Sequence, residues 1–164
     1  MYNCPNLYLN FFSFAEKPFD ITPDTRFLYR SPIHEEVIRT LLYGIHERRG
    51  FMVLTGEIGT GKTTSLRVLL NHLESSRSES PETHVETAFI INPLLSTVDL
   101  IKSINRDFGI EEVRGESIDS VDSIQDQIVA LNSFLLVRAR ERKNAVVIID
   151  EAQDLSPEAL EMVR

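Results

Sequence analysis

The 164-residue chain is long enough for one ordinary domain and too short for two. It is 42% hydrophobic and 26% charged, and its formal charge of −8 argues against a domain-wide affinity for nucleic acid, whose phosphates attract basic surfaces. One cysteine, Cys4, leaves no internal disulfide; no apolar run approaches the ~18 residues of a membrane-spanning helix, and Met1 to Phe19 lacks the layout of a secretory signal, so the chain reads as soluble and cytoplasmic.

In chain order, residues 1–30 are rich in Phe, Pro and Tyr without a sustained period. They read as an extended lead-in pinned by Phe11, Phe12, Phe14, Phe19 and Phe27. A helix is predicted from Ser31, a good N-cap ahead of Pro32, with Glu35 and Glu36 in the first turn and an apolar stripe at Val37, Ile38, Leu41, Leu42 and Ile45. Arg48, Arg49 and Gly50 stop it. Phe51–Thr55 reads as a buried strand. A glycine-rich loop follows, then a helix from about Gly61 to Leu73 with Leu66, Leu69, Leu70 and Leu73 on one face; Ser75–Pro81 reads as a loop.

Val85–Ile91 is the second predicted strand, closed by Asn92-Pro93. Ser96 and Asp99 form a capping-box pattern for a helix carrying Ile101, Ile104 and Phe108 ahead of Gly109. Residues 109–122 read as an acidic connector. A longer helix is predicted from Ser123 to Arg142, with Ile124, Ile128, Leu131 and Leu135 in phase. Ala145–Ile149 is the third strand, apolar throughout, as expected of a sheet covered on both faces. Ser156-Pro157 opens a last helix. Strands alternating with helices imply parallel pairing and a three-layer α/β architecture.

Two motifs carry chemistry. Gly56-Glu57-Ile58-Gly59-Thr60-Gly61-Lys62-Thr63 has the phosphate-loop pattern, G-x-x-x-x-G-K-[ST], between a predicted strand and a predicted helix. Glycines let the backbone turn its N–H groups toward a phosphate, and the helix beginning at Gly61 adds its positive end. Lys62 can reach the β and γ phosphates, and the Thr63 hydroxyl can ligate Mg²⁺. The second motif, Val146-Val147-Ile148-Ile149-Asp150-Glu151, is a Walker B pattern that delivers Asp150 to the carboxyl edge of the sheet as a Mg²⁺ ligand and leaves Glu151 to polarise the attacking water. The candidate nucleotide contacts are therefore Gly56, Glu57, Ile58, Gly59, Thr60, Gly61, Lys62, Thr63, Thr64 and Asp150. The candidate metal ligands are Thr63 and Asp150, and the candidate catalytic residues are Lys62 and Glu151. Together they point to ATP and Mg²⁺ as cofactors.

Other residues read more plainly. His34, His46, His72 and His84 have no metal-ligand spacing and read as ordinary surface or interface residues. Arg138, Arg140, Arg142 and Lys143 read as a solvated helix end complementing the dipole. Asn92 either contacts the γ-phosphate or makes an Asx turn before Pro93.

Four stretches resemble the AAA+ ATPases of the GspA/ExeA type, associated with bacterial type II secretion. They are Tyr8-Leu9-Asn10-Phe11-Phe12 with Glu16-Lys17-Pro18-Phe19; Thr22-Pro23-Asp24 with Arg26-Phe27-Leu28-Tyr29; Arg49-Gly50-Phe51 through Thr64; and Asp150-Glu151-Ala152-Gln153. The resemblance implies a P-loop NTPase fold of AAA+ type, Mg·ATP hydrolysis coupled to assembly of a secretion apparatus, a homo-oligomer, and a segment around Phe27–His34 bordering the adenine. Similar domains serve DNA transposition and origin recognition, so an ATPase acting with DNA-bound complexes is the alternative, and a nucleotide-binding module without catalysis is a third. The resemblance also implies a sensor residue on a fourth strand between the strands of the two motifs, an arginine finger and a helical lid. None falls within the 164 residues. The expectation is thus a lead-in at residues 1–30 and a partial nucleotide-binding domain at 31–164, from a longer protein that could sit at the inner face of the membrane. Alone, these residues are expected to bind nucleotide poorly and hydrolyse it hardly at all.

Overall fold

The computed structural model describes residues 7–17, 28–79, 85–91, 96–113 and 115–163. Its centre is a parallel pair of strands, β1 (Val85–Ile90) and β4 (Asn144–Ile149), in a register that runs from Val85 opposite Asn144 to Ile90 opposite Ile149. Alternate residues face opposite sides, as the strand period requires. One face, with Val85, Phe89, Val146 and Ile148, packs on Leu41, Leu42 and Ile45 of helix α2 (Pro32–His46) and on Leu66, Leu69, Leu70 and Leu73 of α3 (Lys62–Glu79). The other face, with Ala88, Ile90, Ala145, Val147 and Ile149, packs on α4 (Thr97–Asp107), α5 (Ile124–Arg140) and α6 (Pro157–Val163) through Leu100, Ile104, Leu131, Phe134 and Ala159. These are the three layers read from the alternation of strands and helices, and the fold is that of a P-loop NTPase.

Local chemistry sets the helix ends. The Ser31 hydroxyl accepts from His34 N–H, Ser96 from Asp99 N–H and Ser123 from Asp126 N–H, each taking up an amide that the first helical turn leaves without a partner. The Ser96 hydroxyl also donates to the Asp99 carboxylate at 2.6 Å. In α2 the chain leaves the helix through Arg48 at φ 53°, ahead of the predicted stop at Gly50. Helix α3 runs through the predicted loop at Ser75 to Glu79, and the Ser75 hydroxyl donates to Asn71 O, which lets a serine sit inside a helix. On α5 the inward face carries Gln127, Leu131 and Phe134, and Leu135 is more exposed than its predicted phase required.

Three further expectations change. Leu7–Phe12 is a short helix, α1, where an extended lead-in was expected, and Phe11, Phe12 and Phe14 are exposed and stack on each other rather than pinning the core. Phe19 and Phe27 lie outside the described residues. The connector contains a small antiparallel hairpin, β2 (Glu112–Val113) with β3 (Glu116–Ser117), turned at Gly115 with φ 81°.

The largest change concerns Phe51–Thr55. It has no strand pairing among the described residues, and Phe51 and Val53 are 61% and 69% exposed. Met52 still packs into the α2–α3 side of the core. The apolar pattern is that of a strand, but a strand also needs a neighbour for its N–H and C=O groups. β4 is bonded along one edge only, to β1, and no described segment bridges β4 and Phe51–Thr55.

Candidate phosphate and metal site

The Gly56–Thr63 loop connects the Phe51–Thr55 run to the N-terminus of α3. Lys62 folds back so that Nζ donates to Gly56 O and Glu57 O, each at 2.9 Å, and the Thr60 hydroxyl donates to Glu57 O at 2.8 Å. A Cβ on Gly56 would meet the Thr60 hydroxyl at 3.1 Å and the Lys62 stem at 3.7 Å, so a side chain there would press the Thr60 hydroxyl aside by a few tenths of an ångström. The side chain of Ile58 stands wholly in solvent at the tip. Gly59 and Gly61 both adopt φ 81°. Thr64 is partly buried in the first turn of α3.

Asp150 follows β4 directly. Its N–H continues the ladder to Ile90 O at 2.9 Å, which fixes the residue at the carboxyl edge of the sheet. The side chain is 6% exposed. Oδ2 accepts from the Thr63 hydroxyl at 2.7 Å, and Oδ1 accepts from Glu151 N–H at 3.0 Å. The two motifs, far apart in the chain, therefore meet at one side-chain contact. The donor set suits Mg²⁺, a hard cation that takes a hydroxyl and one or two carboxylates and leaves its remaining positions to water and phosphate. A buried carboxylate held by a hydroxyl and an amide, with no basic side chain against it among the described residues, is a place where a cation is welcome. The Lys62 ammonium, now occupied by two carbonyl oxygens, can exchange them for phosphate oxygens.

Glu151 is held differently. It sits in the left-handed region at φ 53°, ψ 40°, an uncommon conformation for a residue with a side chain. Its carboxylate accepts from Gln153 Nε2 at 2.6 Å and points into an exposed position. The structure thus brings Thr63 and Asp150 into contact, leaves the Lys62 ammonium on the loop carbonyls of Gly56 and Glu57, and leaves Glu151 engaged with its own turn. Asn92 lies outside the described residues.

One other reading changes at this level. Arg138 is no solvated end: its guanidinium lies over the Phe134 ring, donates to Glu141 at 2.7 Å and pairs with Glu86, binding α5 to β1. His34, read as an ordinary surface or interface residue, reaches the loop, with Nε2 at 2.9 Å from Thr60 O. Its contact spans 26 residues of sequence, and no local spacing signals it. A cleft of about 480 Å³ between α2 and α3, lined by Arg30, Ile38, Leu42, Val68 and His72 among others, includes none of the loop residues.

With this geometry in view, comparison with known proteins is informative. Residues 45–164 match the AAA domain family, a span that holds both motifs. The chain belongs to the AAA domain family. This AAA domain is also 38% identical, over 159 residues, to General secretion pathway protein A of Aeromonas hydrophila. The match covers 96% of the chain and 26% of that relative, so the chain spans about a quarter of the length of the protein it resembles. No solved structure matches. The family membership agrees with the resemblance read from Arg49–Thr64 and Asp150–Gln153. Among the described residues, no helix of this AAA domain is long and apolar enough to cross a membrane.

Proposed function

We propose that this AAA domain binds Mg·ATP at Gly56–Thr64 and Asp150 and hydrolyses it, and that in the whole protein, acting as a homo-oligomer on the cytoplasmic side, the hydrolysis is coupled to assembly of a bacterial secretion complex. The single observation that carries the reading is the 2.7 Å contact between the Thr63 hydroxyl and the Asp150 carboxylate, which joins the two motifs. The secretion assignment is supported by the relative's name and by the lead-in stretches that extend the similarity to nearly the whole chain. The net charge of −8 favours it over work on DNA.

In this reading the loop amides and Lys62 bind the phosphates, and Thr63 and Asp150 hold Mg²⁺. When bound, the metal supplies positive charge that offsets the charge building on the phosphate oxygens. Glu151 takes the proton of the attacking water through its exposed carboxylate, whose Oε2 accepts from Gln153. Substitution separates these roles. Glu151→Gln is expected to keep Mg·ATP binding and to slow single-turnover hydrolysis by roughly 10²–10⁴-fold, the usual worth of a general base. Hydrolysis by Glu151→Gln at the parent rate would remove Glu151 from the mechanism.

A further inference from the structure

His34 stands in the first turn of α2 with both ring nitrogens engaged. Nε2 lies 2.9 Å from Thr60 O, and Nδ1 lies 2.9 Å from the Ser31 hydroxyl and 3.2 Å from Tyr29 O. A carbonyl oxygen only accepts, so the contact with Thr60 requires a proton on Nε2. Nδ1 faces the Ser31 hydroxyl, which can donate to it or accept from it, and Tyr29 O, which only accepts, so the N-cap of α2 fixes the orientation of the ring that reaches the loop.

The consequence lies in the peptide between Thr60 and Gly61. This peptide is planar and trans, so its C=O and N–H point in opposite directions. Thr60 O turned toward α2 leaves Gly61 N–H turned away from it, at the residue that directly precedes α3. Gly61, at φ 81°, has the freedom to flip this peptide, and a flip would aim a carbonyl oxygen where an anion is to be bound. The ring also closes the space beside Gly61, where a Cβ would lie 3.2 Å from Nε2. We propose that His34 is a positioning residue for phosphate recognition: its Nε2–H holds the Thr60 carbonyl and thereby aims Gly61 N–H at the bound phosphate. The inference rests on the nucleotide reading above and adds to it a residue outside both motifs.

Two conservative variants separate the ring's two ends. The amide nitrogen of Gln occupies roughly the place of Nε2 and can still donate to Thr60 O. That of Asn occupies roughly the place of Nδ1 and reaches Ser31 and Tyr29 but not the loop. Affinities of the full chain for MgADP and MgATP are measured by titration, with thermal melting as the control for folding. His34→Asn and His34→Ala are expected to bind both nucleotides about tenfold more weakly than the parent, as for one lost directing hydrogen bond. His34→Gln is expected to stay within about threefold, with all melting temperatures close to that of the parent. Parent-like affinity in His34→Asn, or a loss in His34→Gln as large as in His34→Ala, overturns this inference alone. A parent chain that binds neither nucleotide overturns the nucleotide reading and this inference with it.

Discussion

At the scale of single residues, the site rests on few atoms, and each has a distinguishable task. Asp150 is buried with only a hydroxyl and an amide against it among the described residues, so its charge is most useful when Mg²⁺ is present. Asp150→Asn is therefore expected to abolish most of the gain in ATP affinity that Mg²⁺ gives the parent, while affinity measured with the metal chelated changes little. Equal Mg²⁺ dependence in both proteins would exclude Asp150 as a metal ligand. Gly56→Ala tests the loop from within. The added methyl would press on the Thr60 hydroxyl at 3.1 Å, and we expect nucleotide affinity to fall by about tenfold with little change in melting temperature. The residues of the two motifs were legible because their spacing is local. His34 and Gln153 were not, because what they do depends on a partner brought close by the fold or on an unusual turn at Glu151.

At the scale of elements, the helices were legible wherever a serine cap preceded an apolar period, as at Ser31, Ser96 and Ser123. The acidic connector was not, because a buried side chain of the next helix organises it. Gln127 is fully buried; its Nε2 donates to Ile118 O and Val121 O at 2.9 Å each, and its Oε1 accepts from Asn105 at 2.9 Å. Gln127→Leu would take this donor from two carbonyls and one of two acceptors from the Asn105 amide, which keeps Gln127 O, and a loss of about 3 kcal/mol is expected in urea unfolding. Lys102 ties the same connector to α4. It is buried, and it donates to Asp122 at 2.7 Å. That hydrogen bond, and then the lysine's charge, hold the Asp122 carboxyl below its ordinary 3.8. A depressed carboxyl contributes stability that is present above its unfolded value and is lost as pH falls through the folded one. Stability is thus expected to decline below about pH 4, and Asp122→Asn should flatten that part of the profile relative to the parent. Unchanged acid sensitivity in Asp122→Asn would assign the decline to other carboxylates.

At the scale of the whole molecule, the three layers are in place, yet the sheet is narrow. The outer edge of β1 is partly guarded, since Asp107 accepts from Phe89 N–H at 2.8 Å. Phe51–Thr55 and the free edge of β4 have no such cover among the described residues, and Phe51 and Val53 expose their side chains beside them. Open edges with apolar neighbours favour association. The 164-residue chain is expected to elute partly as aggregates, and Val53→Lys to raise its monomer fraction without lowering its melting temperature. The resemblance anticipated this through its fourth strand between the strands of the two motifs, whereas no local pattern did, because Phe51–Thr55 has the composition of a buried strand and only the layout of the sheet decides whether a neighbour reaches it. Thr63 and Asp150 nevertheless meet, and that the loop and this carboxylate form one Mg·ATP site is the central claim. Calorimetric titration of MgATP into the parent chain and into Lys62→Ala tests it most directly. The account expects weak, saturable, Mg²⁺-dependent binding by the parent and none by Lys62→Ala, with the same far-UV circular dichroism for both; equal binding by the two chains, or none by the parent, would contradict it.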